Sequence, residues 1–529
     1  MLRFRDHYNW VVLGDHPGAL LSASLAARLG LSVLVLPLAP GMRAGLSDSG
    51  QCFDPESNYL IGLRGLVHSN GLLSECLQRA GVLSSEEQFI RKDGVLPQVI
   101  TPSSRVLFAL NDQDLAIEYN REFGKRTVER SGFLEALKEA ESEFLKYWLA
   151  LPARLTWDSA TAGKSIKKGS PQAFGSLLKK IQMESRLNGK LKKSWFFRRS
   201  TLSDLAHLTG RPDFNELFRG LWFGAASNSC ADPLLADLVH LLSIARTGAS
   251  FKGGMTAYRE FLGRVAKRLG VHLPEKVECS RLFIQKGQFI GVQVSNHGTM
   301  ISVDGGVLGC RLDQARDKMT SSGQSWLRKL KRSPRPAGWK FSVALTVHAE
   351  AIPPGMSSRV VWQEKDAPAL EIEVADPLDY GIKEADSRMI HLRTVLPFKP
   401  ETLEVGYQRL IATRMLRQLM EIIPFLEYHV TRIYPDFRSV ESSRIAPAAV
   451  ASKSECELSS VYRFKQLQDL PGNLFCFNEK GICSQSGIEG LFVASDESYP
   501  ELGSLGPTVA ALESVAWLAH RSGLPGPLS

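Results

Sequence analysis

The sequence predicts an α/β fold assembled from discontinuous segments together with a mixed α+β lobe, and three observations predict it. An apolar strand, a glycine–proline turn, a small-residue helix and a second apolar strand follow one another within the first forty or so residues. A glycine-pair helix start followed by three short strands lies near the middle of the chain. A further strand, a glycine-rich turn and another small-residue helix close it. At 529 residues the chain exceeds one simple domain, so two or three lobes are expected.

Trp10-Val11-Val12-Leu13 is apolar and partly β-branched, and Gly14-Asp15-His16-Pro17-Gly18 reads as a turn. Ala19, Leu20, Ala23, Ala26 and Ala27 then share a helical face up to Gly30, a suitable glycine for a helix end. Ser32 to Leu36 is a continuous apolar run, as in a parallel strand covered on both faces. These pieces make a βαβ unit.

From Leu72 to Ala236 the sequence reads as mostly helical and basic. Phe133, Leu134, Leu137, Ala140 and Phe144 recur there at helical spacing. Gly253-Gly254 opens another helix, with Ala257, Phe261, Leu262, Val265, Ala266 and Leu269 on its apolar side. Strands follow at Arg281 to Gln285, Phe289 to Val294 and Met300 to Val303. A basic linker, Arg328 to Arg335, leads to strands at Trp339 to Val347, Val360 to Trp362, Leu370 to Val374 and Met389 to Leu396. A helix is expected from Leu403 to Ile423. At the end, Gly490 to Ala494 is a buried-strand pattern, Ser495-Asp496 a turn, and Gly503 to Thr508 the start of a close-packing helix that runs to His520.

Composition narrows the function classes. Hydrophobic residues make up 44% and charged residues 22%, the profile of a globular protein and not of a disordered or collagen-like one. No uninterrupted apolar run reaches the length of a membrane span. The eight cysteines show no C-x-x-C pair, which fits neither a disulfide framework nor a zinc site and suits a reducing cytoplasm. A net charge of +9 points to an anionic partner.

Three blocks, 10–62, 246–310 and 488–520, in this order resemble the flavin-dependent phytoene desaturase and amine oxidase superfamily. Gly14 and Gly18-Ala19 match its glycine-rich loop on the FAD pyrophosphate, Phe53-Asp54 a short motif after it, and Gly253-Gly254 its middle helix start. Cys279 falls where the family's backbone meets the adenine, and Asp496 and Gly506 match the last block, whose helix N-terminus faces the flavin. The resemblance implies a Rossmann-like FAD-binding domain from residues 1–75, 241–325 and 471–529. It also implies a helical, basic lobe at 76–240 that faces substrate or membrane, and a substrate lobe with a mixed sheet at 326–470. The implied activity is an FAD-dependent oxidation of a lipophilic or amine-type substrate, with hydride passing to flavin.

The chain departs from that pattern at four places. His16 stands at the second glycine of G-x-G-x-x-G, where backbone must approach the pyrophosphate closely. Pro17 holds His16 extended and suits a first helical position. Pro37 replaces the acid that would bind a ribose hydroxyl, Gly41-Met42-Arg43 replaces a later glycine pair, and Ser495 replaces a glycine. Two readings follow: His16 neighbours a displaced phosphate in an FAD enzyme, or the pocket has given up FAD and the chain is a binding or scaffold protein.

Between Lys164 and Arg199 lie eleven Lys or Arg and one acid, Glu184. The stretch ends in Lys192, Lys193, Trp195, Phe196, Phe197, Arg198 and Arg199, aromatics bracketed by cations, which suits an anionic membrane surface. A solvated helical face with the aromatics in a core is the plainer alternative. Nucleic acid is not expected, since no binding module surrounds the patch. The expected place is the cytoplasm, peripheral to the inner face of the membrane. Histidines lack metal spacing, and His240 reads as a core residue. No G-x-S-x-G elbow exists. Glu371 and Glu373 alternate on one strand and read as a solvated sheet surface. No independent catalytic acid–base group is identified, and no metal site.

Overall fold

The structure, a computed structural model, describes residues 4–38, 46–48, 51–53, 59–63, 72–91, 97–108, 112–124, 213–226, 248–274, 277–295, 300–310, 336–365, 367–375, 386–397, 399–434, 474–478 and 486–527, with isolated positions between them. The helical pattern at 133–144, the basic stretch 164–199, Gly41 to Arg43, Asp54 and His240 lie outside the described residues.

The opening βαβ unit forms as its pattern demands. Strand β1 (His7–Gly14) runs parallel to β2 (Val33–Leu36), with Trp10 opposite Val33 and Leu13 opposite Leu36. Its other neighbour is β12 (Met300–Gly309), also parallel, with Gly14 opposite Gly309. The sequence predicts an end to β12 near Val303, but the strand runs on through Gly305-Gly306. A Cβ at Gly306 would sit 2.7 Å from the Val11 side chain, so only glycine lets the strand lie this close to β1. Strand β19 (Leu491–Val493) adds in parallel beyond β12. Two further strands, β10 (Cys279–Gln285) and β11 (Gln288–Val294), form an antiparallel meander that feeds the first half of β12.

Strand periodicity divides the core in two. Trp10 and Val12 face a layer of helices: α1 (Pro17–Arg28), α5 (Gly254–Arg268) and α7 (Gly506–Arg521). Val11, Leu13, Leu34 and Leu36 face the meander through Leu282, Phe289 and Val292. Each of these sealed side chains contributes about 2 kcal/mol by leaving water. The stretch Leu502–Arg521, which contains α7, has the length and apolar composition of a membrane span, yet most of it is buried inside the core. Small segments complete this half of the molecule. They are the pair β3 (Leu46–Asp48) and β4 (Gln51–Phe53), and a three-stranded patch of β5 (Tyr59–Leu60), β9 (Ala249–Phe251) and β6 (Ile90–Arg91). Helices α2 (Leu72–Arg79) and α3 (Asp112–Phe123) lie between these pieces in the chain.

The second sheet has the order β17-β13-β16-β15-β14-β7-β8, with β18 (Leu474–Asn478) also on β13. Its members are β7 (Gln98–Ile100), β8 (Arg105–Leu107), β13 (Pro336–His348), β14 (Arg359–Trp362), β15 (Leu370–Ala375), β16 (Ser387–Pro397) and β17 (Val430–Tyr434). Strands β7 and β8 come from a stretch whose composition reads as mostly helical; β7 is drawn into the sheet by parallel pairing with β14. One face, including Val360, Trp362, Leu370, Ile372, Ile390 and Leu392, packs on α6 (Val405–Ile422) through Ala412, Met415 and Leu419. Helix α4 (Asp213–Ala226) lies against β14 and β7, where Gly220 and Gly224 admit the side chains of Val99 and Val361.

The other face of this sheet corrects the sequence reading. Glu371 and Glu373 are not solvated: they are 1% and 5% exposed. They share a buried face because residues two apart on a strand point the same way, and that face is covered.

Candidate functional site

The site begins where β1 ends. Gly14 takes φ +108°, and a Cβ there would lie 2.5 Å from the Gly309 carbonyl oxygen, so both the turn and the strand contact require glycine. His16 follows in extended geometry, φ −59° and ψ 139°, as the residue before a proline must. Pro17 occupies the first position of α1, and the Leu20 amide donates to the His16 carbonyl to start the helix.

The His16 side chain works at both ends. Its Nδ1 accepts from the Gly18 amide at 3.2 Å, capping the helix. An accepting Nδ1 places the ring proton on Nε2, and Nε2 lies 3.1 Å from Asp496 Oδ1, to which it donates. The imidazole thus ties the β1–α1 turn to the loop before α7, 480 positions away in the chain.

Gly18 and Ala19 serve packing. A Cβ on Gly18 would lie 2.7 Å from both Cβ and the carbonyl oxygen of Pro507, so the first turns of α1 and α7 touch backbone to ring. A Cβ on Gly309 would lie 2.7 Å from the Ala19 methyl, so the strand end beside Ala19 requires glycine.

The loop carrying Asp496 is held by its own hydroxyls. Ser498 Oγ donates to the Val493 carbonyl at 2.8 Å, and the Ser498 amide donates to the Ser495 carbonyl at 2.9 Å. Gly506 cannot carry a side chain, because the Ser498 and Tyr499 carbonyls occupy its Cβ position. The protein mass around Asp496 opposes ionisation. His16, and behind it Lys340 of β13 and Arg259 of α5, nevertheless hold the carboxyl well below the usual carboxylate range. Solvent reaches 62% of the Asp496 side chain and weakens these attractions.

Of the residues singled out in the sequence, Gly14, His16, Gly18, Ala19, Asp496 and Gly506 therefore meet at one place. Cys279 does not join them. It sits at the start of the meander, 0% exposed, with its amide donating to the Pro37 carbonyl at 2.9 Å. Burial pushes its thiol up to about 12.

The resemblance puts a diphosphate over the first turn of α1 and an adenine at Cys279. The residues present do not fit that half of FAD. Pro17 has no amide hydrogen, and the Gly18 amide is taken by His16. The Cys279 amide is taken by Pro37, whose ring offers no ribose acceptor. An anionic carboxylate, Asp496, stands beside the place a diphosphate would occupy. Among the described residues no group of three His, Cys, Asp or Glu is placed to hold a metal ion.

Sequence reasoning missed the buried polar face of the second sheet. The Arg359 guanidinium meets Glu371 at 2.8 Å, and Arg393 meets Glu373 at 2.6 Å. Both pairs run diagonally, since the cross-strand neighbours are Arg359 with Glu373 and Glu371 with Arg393. Arg359 also donates to the Gly224 carbonyl of α4 and stands 4.5 Å over the Tyr59 ring of β5, joining three parts of the molecule. His391 lies on the same face, and burial, helped by Arg393, pushes its imidazole down to about 3. The signal available in the sequence was opposite charges at matching parity on strands that are otherwise apolar.

No family model matches the chain, and no curated protein matches it. Solved structures do. An oxidoreductase from Methanosarcina mazei superimposes with a TM-score of 0.52 at 14% identity, covering 95% of this chain and 99% of that one. A protein from Pyrococcus furiosus gives 0.49 at 13% identity, covering 81% and 88%. A putrescine oxidase variant gives 0.47 at 12% identity, covering 97% and 99%. The first of these shows a shared α/β fold.

Proposed function

We propose that the chain is a binding or scaffold protein built on the frame of a flavin-dependent oxidoreductase and working without the flavin. The observation that supports this reading is the prior engagement of the donors such a cofactor would need, the Gly18 amide by His16 and the Cys279 amide by Pro37. An unpaired buried donor would invite a ligand; a satisfied one must first break its existing bond. The test is direct. The purified full chain should lack the visible absorption of a bound flavin, and added FAD should leave its melting temperature unchanged. A yellow protein, or one that FAD stabilises, overturns the reading.

A second reading is favoured by the likeness in fold, over 95% of the chain, to an oxidoreductase. It is an FAD-dependent oxidoreductase resembling phytoene desaturase and acting on a lipophilic or amine-type substrate. The same spectrum decides between the two. Under either reading we propose that the sequence Lys192 to Arg199, aromatics bracketed by cations, meets an anionic membrane.

A further inference from the structure

We infer that the His16 imidazole is a built-in surrogate for a dinucleotide's diphosphate, and that this one side chain keeps the turn between β1 and α1 closed to such ligands. The inference rests on the cofactor-free reading and deepens it by naming the residue responsible. A diphosphate offers only acceptors, and at a helix start it would be met by amide donors and the positive end of the helix. His16 Nδ1 supplies that acceptor from within the chain, 3.2 Å from the Gly18 nitrogen. The ring then does what a phosphate oxygen cannot. Its Nε2 donates to Asp496 at 3.1 Å, so a carboxylate that would repel a diphosphate becomes a partner instead.

The exchange also replaces the ligand's mechanical role. A diphosphate lying between the two helix starts would fasten the first and last segments of the domain. The His16–Asp496 bond fastens them directly, across 480 positions of sequence. Pro17 supports the closure by holding the His16 backbone extended, and the ring is only 11% exposed, so it fills the gap and does not sample solvent.

Inorganic pyrophosphate isolates this half of the site from the separately closed adenine end. In calorimetric titrations of the full chain at pH 7.5, the wild type should bind pyrophosphate weakly. His16→Gly should bind it at least tenfold more tightly. Adding Asp496→Asn should tighten it further by removing the unpaired carboxylate. Equal affinity in wild type and His16→Gly, or tight binding by the wild type, overturns the inference. Should His16→Gly fail to fold, His16→Ala carries the same expectation, because alanine offers the Gly18 amide no acceptor and cannot reach Asp496. The outcomes separate from those of the broader reading. FAD bound by the wild type sinks that reading, whereas a colourless wild type with no gain in His16→Gly sinks only the surrogate role.

Discussion

At the scale of single residues, the chain repeatedly uses its own groups where a ligand or solvent would otherwise serve. His16 caps α1 and holds Asp496, and Pro37 accepts from Cys279. His391 shows the cost of such burial. Its imidazole is held neutral down to about 3, against an ordinary value of 6.5. As pH falls, the unfolded chain takes up this proton before the folded one does, so the stabilisation is complete above about pH 6.5 and is lost progressively toward pH 3. Between pH 6.5 and pH 5 the loss is about 2 kcal/mol. Melting curves should therefore shift to lower temperature over that interval, and His391→Gln should flatten the dependence. An unchanged slope in the variant would assign the acid sensitivity to other groups.

At the scale of elements, the two faces of the second sheet differ in what they require. The face on α6 is apolar and tolerates exchanges of similar volume. The opposite face holds two buried ion pairs, and removing one partner strands the other charge away from water. Glu371→Gln should destabilise the protein by about 3 kcal/mol, because Arg359 would keep its charge but lose its carboxylate. Chemical denaturation of the variant measures this, and a change within about 0.5 kcal/mol would mean that water compensates the arginine. The basic, aromatic segment at 192–199 carries a prediction of its own kind. Co-sedimentation of the full chain with vesicles containing anionic lipid should drop when Trp195 is replaced by alanine and Lys192, Lys193, Arg198 and Arg199 by glutamine. Equal sedimentation would leave the segment a solvated face.

At the scale of the whole molecule, the domain that opens the chain is completed only by its middle and its end. Strands β1, β12 and β19 are neighbours in one sheet although they lie hundreds of positions apart, and α1 touches α7 at Gly18 and Pro507. The predicted lack of visible flavin absorption belongs to this scale, because the cofactor site implied by the resemblance would draw on all three segments at once. Much of this organisation was legible in the sequence. The βαβ unit, the Gly253-Gly254 helix start, the meander and the final strand and helix each carry a local period or a glycine that dictates their form. The length of β12 was not legible, because its second half is defined by the strands on either side.

The sequence by itself determined the fold class, the strands of the first sheet, strands β13 to β16 of the second, and the identity of the residues that depart from the resembled pattern. Periodicity and backbone preference act over a few residues, so they can be read from a few residues. What those departing residues do was decided by tertiary structure alone. His16 finds Asp496, Cys279 finds Pro37, and Glu371 finds Arg359 across distances in the chain that no local pattern encodes. The role of a polar side chain is set by the partner that folding brings within about 3 Å of it, and that partner is fixed by packing of the whole chain.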